Sequence, residues 1–346
     1  MAHAARPARH ARAVGGVTAM DARVSVVIPT FNRADLLGGT IDRLAALRPQ
    51  TSRWELIVVD NNSTDATRAV VESRVGSFPV PLRYIFEGTQ GRSSALNTGI
   101  AASTAPVLAF IDDDVMVGDE WLDAAAAPLL DGSDIEYTGG PVRPIWEAPR
   151  PPWLSAERGD LWGTIAICHY GAEPFVFEER KRVPLGANMA VRRRLFERIG
   201  GFDPMLGRSN GRHVLGQEVP EFLARARAAG ARGMYVPSMI VDHHVPARRL
   251  TKAYFRKWWY GKGLSRSRLD ALQPVTELGV DLRRARRFAG LPLFMWRTAA
   301  DDALGWLASW NPTERFRHEA MLWYFAGYVA GRHLNGNGVP RASLAK

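Results

Sequence analysis

Three consecutive aspartates, Asp112, Asp113 and Asp114, close the apolar run of PVLAFIDDD. Carboxylates repel one another, so three at the end of a buried segment need a counter-charge or full solvation. Hard divalent cations such as Mg2+ and Mn2+ prefer oxygen ligands, and need only one or two protein carboxylates beside phosphate oxygens. Side chains alternate along an extended segment, so Asp112 and Asp114 can point one way and Asp113 the other. A solvated acidic turn explains the same triad without a metal, and the triad alone leaves both readings open. Two more polar clusters, Thr30 to Arg33 and Asp60 to Asp65, follow apolar runs in the same way.

The elements that must position these groups alternate in type. VSVVIP (24–29) and WELIVVD (54–60) are continuous apolar runs rich in β-branched residues, as strands covered on both faces require. Between them, Leu36, Leu37, Ile41, Leu44 and Leu47 recur at helical spacing. NNSTDATRAVVES supplies polar capping residues, Asn62 and Asp65 among them, ahead of a second helix. LRYIFE (82–87) and PVLAFID (106–112) read as further strands, with a helix over 91–102 between them. Alternation of this kind predicts an α/β layer with a mainly parallel, twisted sheet flanked by helices. In such sheets active groups gather beyond the carboxyl ends of the strands, where all three polar clusters fall.

The pattern weakens over 140–180, where PVRPIWEAPRPPWL reads as a loop or irregular edge. GANMAVRRRLFERIGGFD then predicts a glycine turn, a strand and a helix. GQEVPEFLARARAAG predicts a helix with Pro220 in its first turn and Gly230 just past its end. Beyond residue 250 the chain turns basic, aromatic-rich and helical to Leu334. The expected organisation is a tail over 1–22, without ordered structure and lacking the apolar centre of a signal peptide. A domain over 23–250 follows, with halves 23–118 and 119–250, then a helical extension over 251–334 and a flexible tail over 335–346.

At 46% hydrophobic and 23% charged residues, the composition is that of a soluble globular protein. The single cysteine, Cys168, excludes an internal disulfide framework, suits a reducing cytoplasm and reads as a packed residue rather than a nucleophile. The net charge of +10 is spread along the chain and accompanies no nucleic-acid-binding motif, so it argues for anionic partners in general rather than for nucleic acid. The most apolar long segment, 288–310, contains Arg297, Asp301 and Asp302, which argues against membrane insertion.

Taken in order, VSVVIPTFNR, LIVVDNNSTD, GRSSALNTGI, FIDDDV, GANMAVRRRLFERIGGFD and GQEVPEF resemble the successive motifs of the family 2 glycosyltransferases, enzymes of the GT-A fold. The resemblance runs over residues 23–264. It implies transfer of a sugar from a nucleotide-diphospho-sugar to a hydroxyl acceptor, with inversion and with Mn2+ or Mg2+ bridging the donor diphosphate. By resemblance, Asp114 is the leading metal ligand, with Asp112 nearer the ribose or the metal's water shell and His243 as a third ligand. Asp113 is a second ligand or an orienting group. Pro29, Thr30, Asn32 and Arg33 belong to the loop that closes on the nucleotide. Asp60 contacts base or ribose, Asn62 stands beside it, Arg92 faces the diphosphate and Asn97 fixes its loop or touches the donor. Gly186, Asn188 and Glu221 fall on the acceptor side. Glu218 is the candidate base that takes the acceptor's proton. The family usually has Glu-Asp there, whereas this chain has Gln217-Glu218.

The basic-aromatic stretch 251–268 fits core packing, a phosphate contact or a peripheral membrane contact, the last placing the protein on the inner face of the plasma membrane. A nucleotidyltransferase is disfavoured because PTFNRADLL offers no glycine-rich loop for a triphosphate. A non-catalytic nucleotide-sugar or membrane-surface binder has only Gln217 in its support. A phosphatase would need its Asp-x-Asp motif after the first strand, which here ends in Pro-Thr.

Overall fold

The computed structural model describes residues 22–49, 53–155, 159–206 and 216–333. Apart from Ala22, the two expected tails lie outside them. The first half is strictly alternating: β1 (Val24–Thr30), α1 (Ala34–Ala45), β2 (Trp54–Asp60), α2 (Thr67–Val75), β3 (Leu82–Phe86), α3 (Arg92–Ala102) and β4 (Val107–Ile111). These four strands pair in parallel in the order β3-β2-β1-β4. Their apolar residues divide by parity. Val24, Val26 and Ile28 of β1 join one apolar cluster with Leu56, Val58, Val107 and Ala109. Val27 faces the other cluster with Ile57, Val59, Leu108 and Phe110. Both faces are covered, which is why these strands carry no polar alternation.

After β5 (Val115–Val117) and α4 (Trp121–Leu130), the sheet becomes mixed. β6 (Ile135–Gly139) and β9 (Asn188–Arg192) run antiparallel, with β9 inserted between β4 and β6. β10 (Arg232–Tyr235) and the two-residue β8 (Phe175–Val176) complete the order β3-β2-β1-β4-β9-β6-β10-β8. The segment expected as a loop or irregular edge contributes an edge strand, β7 (Val142–Trp146). It pairs in parallel with β11 (Val241–Val245), whose other side pairs with β5 in a three-stranded sheet. An edge strand tolerates Pro144, which cannot donate a ladder hydrogen bond.

GRSSALNTGI acquires a structural meaning here. Gly91 precedes α3 at φ 149°, and a Cβ on Gly99 would lie 2.4 Å from Val27 Cγ1, so α3 can press onto β1 only with glycine there. In the C-terminal region, α8 (Lys252–Leu272) and α9 (Leu293–Ala308) both pack on α10 (Pro312–His333), α8 running parallel to it and α9 antiparallel. Thr251 caps α8 by accepting a hydrogen bond from Tyr254 N at 3.2 Å. Phe255, Trp259, Phe316 and Ala320 share the apolar cluster that covers β1. Trp153, from the proline-rich segment, packs edge-on against Phe255 and Phe316 at 5.0 and 4.6 Å. The C-terminal helices are thus built into the core beside the sheet. Among the described residues, no helix is long and apolar enough to cross a membrane.

Candidate active site

β1, β2 and β4 end side by side, and the acidic segment leaves β4 at that edge. Asp113 turns toward β1, where Thr30 Oγ1 donates to its Oδ2 at 2.8 Å. The Thr40 hydroxyl donates to the Asp113 carbonyl at 3.0 Å. Burial pushes the Asp113 carboxyl up to about 7, with Arg33 opposing and Asp114 reinforcing the rise. Asp112 and Asp114 face the other way. Antiparallel pairing sets Val115 opposite His243, and His244 N donates to the Asp114 carbonyl at 3.0 Å. His243 Nε2 consequently lies 3.4 Å from Asp114 Oδ1.

One ligand atom each from Asp112, Asp114 and His243 lies within 4.8 Å of the others. Asp114 Oδ1 is buried and accepts no hydrogen bond among the described residues. Burial lowers the His243 pKa, against the pull of Asp114 and Asp112, so the imidazole stays neutral and keeps a lone pair to offer. Two carboxylates and a neutral imidazole are a donor set for Mn2+ or Mg2+, and the orphaned Asp114 oxygen is what such a set leaves for a cation.

Two arginines bind the cluster together. Arg33 Nη2 donates to Asp114 Oδ2 at 2.5 Å, and its Nε lies 3.4 Å from Asp113 Oδ1. Arg92, at the start of α3, donates to Asp112 Oδ1 at 2.7 Å, to the Gly186 carbonyl at 3.2 Å and to Glu218 Oε1 at 3.0 Å. Its pKa is raised because the two carboxylates outweigh the cost of its burial. Glu218 is the first residue of α7 (Glu218–Ala228), and its Oε2 is buried with no hydrogen-bond partner among the described residues. Four carboxyls thus face two guanidiniums, and even with Asp113 pushed up to about 7 the cluster keeps an excess of negative charge for a cation to meet.

These groups line one cavity of about 810 Å3. Of the residues singled out from the sequence, Pro29, Thr30, Arg33, Arg92, Asp112, Asp113, Asp114, Gly186, Glu218 and His243 are in its wall. Others are not. Asp60 is buried one layer back, accepting from Tyr84 Oη at 2.7 Å and Ser63 N at 2.9 Å. Its neighbour Asn61 lines the cavity instead, accepting from Gly91 N at 2.7 Å and donating to Thr89 O at 2.8 Å. Asn32 accepts from Thr64 N at 2.7 Å and so ties two loops together, while Asn62 is exposed at φ 67°. Asp65 fulfils its capping expectation twice, accepting from Thr67 N and from Ala34 N at 3.0 Å each.

Two acceptor-side assignments are corrected, and Asn97 takes the loop-fixing one of its two readings rather than the donor contact. It donates to the Phe202 carbonyl at 2.7 Å and accepts from the Phe202 N–H at 2.9 Å, outside the cavity wall. Asn188 is fully buried, accepting from Trp121 Nε1 and donating to the carbonyls of Pro141 and Met239. It joins strands and cannot meet an acceptor. Glu221 points out of the cavity, forked onto Arg225 and accepting from Gln273 Nε2 at 2.9 Å. Cys168 is buried, and its thiol is pushed up to about 12, the packed role expected of it.

Sequence reasoning left 251–268 open between core packing, a phosphate contact and a membrane contact, and did not place it in the cavity wall that α8 forms. Tyr254, Trp258, Lys262 and Arg266 all line the cavity, together with Trp259 and Arg249. Their four-residue spacing was the available signal.

A family model for glycosyl transferase family 2 matches residues 25–200. The chain is 26% identical over 256 residues to the glucosyl-dolichyl phosphate glucuronosyltransferase of Haloferax volcanii, covering 73% of this chain and 79% of that one. It is 28% identical over 255 residues to the succinoglycan biosynthesis protein ExoM of Rhizobium meliloti, covering 72% and 75%. The fold is similar to that of the mannosyltransferase PcManGT from Pyrobaculum calidifontis in complex with GDP-Man and Mn2+. That likeness has a TM-score of 0.58 at 19% identity and covers 90% of this chain and 87% of that one. With its motifs in family order on a matching α/β framework, the chain belongs to glycosyl transferase family 2 and is a glycosyltransferase of the GT-A fold.

Proposed function

We propose that the protein is an inverting, divalent-metal-dependent glycosyltransferase that moves a sugar from a nucleotide-diphospho-sugar to a hydroxyl acceptor. The observation that carries this reading is the pair of orphaned buried oxygens, Asp114 Oδ1 and Glu218 Oε2, on either side of Arg92, which bonds Glu218 and Asp112. Asp112, Asp114 and His243 would hold the cation, which supplies positive charge to the departing diphosphate when bound. Glu218 Oε2 takes the proton of the attacking hydroxyl while the acceptor oxygen bonds to the anomeric carbon and the bond to the diphosphate breaks. Glu218 opens a helix, so its carboxylate stands at the positive end of the helix dipole. Arg92 fixes the carboxylate through its other oxygen, leaving Oε2 to the substrate. Asn61 and Pro29 offer the nucleotide a wall beside β1.

A panel of nucleotide-sugars incubated with the protein tests this by release of free nucleoside diphosphate. Turnover of at least one sugar donor is expected, abolished by EDTA and restored by Mn2+ or Mg2+. Turnover that persists in EDTA would contradict the metal assignment.

Relatives named for a dolichyl-phosphate sugar and for succinoglycan support a place in glycan or glycolipid assembly. Peripheral membrane contact is part of the same reading. Leu304, Leu307 and Trp310 are exposed at and beyond the end of α9, Trp310 fully so at 99%, in a chain of net charge +10. Co-sedimentation with phosphatidylglycerol vesicles is expected for the wild type and at least fivefold weaker for Trp310→Ser with Leu307→Ser. Equal sedimentation of both proteins would remove the contact from this face.

A further inference from the structure

The cavity extends from the acidic cluster to a wall whose polar groups the proposed chemistry does not use. Tyr254, Trp258, Lys262 and Arg266 occupy one stripe of α8 and line it, with Trp259 alongside. The two cations of that stripe are treated differently. Arg266 is neutralised, donating to Asp270 at 2.6 Å and to both oxygens of Glu277 at 2.8 and 2.9 Å. Lys262 has no carboxylate within ion-pair distance among the described residues. Its ammonium lies over two indoles, 5.0 Å from the ring centroid of Trp258 and 4.8 Å from that of Trp259. Arg249, from the turn after β11, lines the same cavity, but its charge acts on His243 of the acidic cluster.

Two further donors in this lining are unsatisfied. Trp259 Nε1 and Thr164 Oγ1 are buried and have no hydrogen-bond partner among the described residues. Thr164 belongs to the 3-10 turn Gly159–Ile165, which packs against α8. Enclosing a cation beside unpaired donors is costly unless an acceptor arrives, and stacking on indoles offsets only part of that cost. A phosphate ester matches the requirement, because it brings close to two negative charges and three strong acceptor oxygens. A carboxylate brings half the charge and one oxygen fewer.

Resting on the glycosyltransferase reading, we propose that this wall is the acceptor subsite and that it takes an acceptor carrying a phosphate ester. Lys262, Thr164 and Trp259 surround the phosphate, and the faces of Trp258 and Tyr254 meet the group the phosphate carries. The donor diphosphate is a different anion in a different place. It belongs beside Asp112, Asp114 and His243, where carboxylates meet it only through a cation, whereas Lys262 meets a phosphate directly. The phosphate ester can come from a lipid headgroup or from a free sugar phosphate.

Isothermal titration distinguishes the sources and tests the subsite. Farnesyl phosphate, glucose 1-phosphate and neutral farnesol are titrated into the full chain with Mn2+ and UDP or GDP present. At least one ester is expected to bind, with farnesol at least tenfold weaker than farnesyl phosphate if the lipid source is correct. Lys262→Gln is expected to weaken the bound ester at least tenfold, Thr164→Val severalfold, and Lys262→Arg to restore most of the affinity. Nucleoside diphosphate affinity in the presence of Mn2+ stays within threefold throughout. Binding of neither ester, an unaffected Lys262→Gln, or an equal loss of nucleotide affinity would overturn the subsite. Nucleotide binding is measured first on the wild type, and its absence would count against the glycosyltransferase reading instead, with the ester titrations still read on the protein alone.

Discussion

Asp114→Asn is expected to lower nucleotide-sugar turnover at least a thousandfold while leaving the folded protein almost as stable as before. The wild-type site concentrates Asp112, Asp113, Asp114 and Glu218 around Arg33 and Arg92. Removing one charge weakens the ion pair from Arg33, yet relieves a repulsion that adds to burial in raising Asp113. Each effect is of order 1–3 kcal/mol and they oppose one another. The metal-free melting temperature should therefore stay within about 4 °C of wild type. With saturating Mn2+ the two proteins diverge. A cation at 100 times its dissociation constant stabilises a native state by about 2.7 kcal/mol, and only the wild type should show that rise. Calorimetry with and without Mn2+ checks it. A variant that still gains stability from Mn2+ would place the cation elsewhere.

Glu218→Gln should separate binding from chemistry. The amide retains an oxygen to accept from Arg92, as Glu218 Oε1 does at 3.0 Å, so the α3–α7 contact survives. What is lost is the proton acceptor at Oε2. Positioned general bases contribute about 10²–10⁴ in rate, so kcat should fall by roughly that factor. Nucleoside diphosphate affinity with Mn2+ should change less than threefold. Glu218→Asp keeps a carboxylate but withdraws it by one methylene, and should retain more activity than Gln. An unchanged kcat in Glu218→Gln would remove Glu218 from the reaction and leave Arg92 as its only evident purpose.

The parallel half of the fold was legible because both faces of β1, β2 and β4 are buried, leaving runs of Val, Ile and Leu that no surface strand carries. Strand β7 was legible only as a loop or irregular edge, because Pro144 and Trp146 interrupt its pattern. The metal-competent trio was half visible. Alternation separated Asp113 from Asp112 and Asp114, but the distance to His243 depends on β11 pairing with β5, a contact across more than a hundred residues. Amides proved the least legible. Asn97 and Asn188 sit in motifs that read as ligand-binding, yet Asn97 spends its hydrogen bonds on backbone and Asn188 on two carbonyls and the Trp121 indole. A polar residue that ties loops and one that binds a ligand have the same sequence signature. Lys262 shows the converse, since its spacing was visible but not the cavity that its side of α8 lines.

The central claim is that Asp112, Asp114 and His243 hold a divalent cation against the donor diphosphate. Pulsed electron paramagnetic resonance of Mn2+ bound in the presence of UDP or GDP reads that arrangement directly. Expected are a 31P coupling from the nucleotide together with a 14N coupling from the His243 imidazole, the nitrogen signal vanishing in His243→Ala and the bound Mn2+ itself in Asp114→Asn. Nucleotide-bound Mn2+ lacking the nitrogen coupling, and unaffected by either substitution, would contradict it.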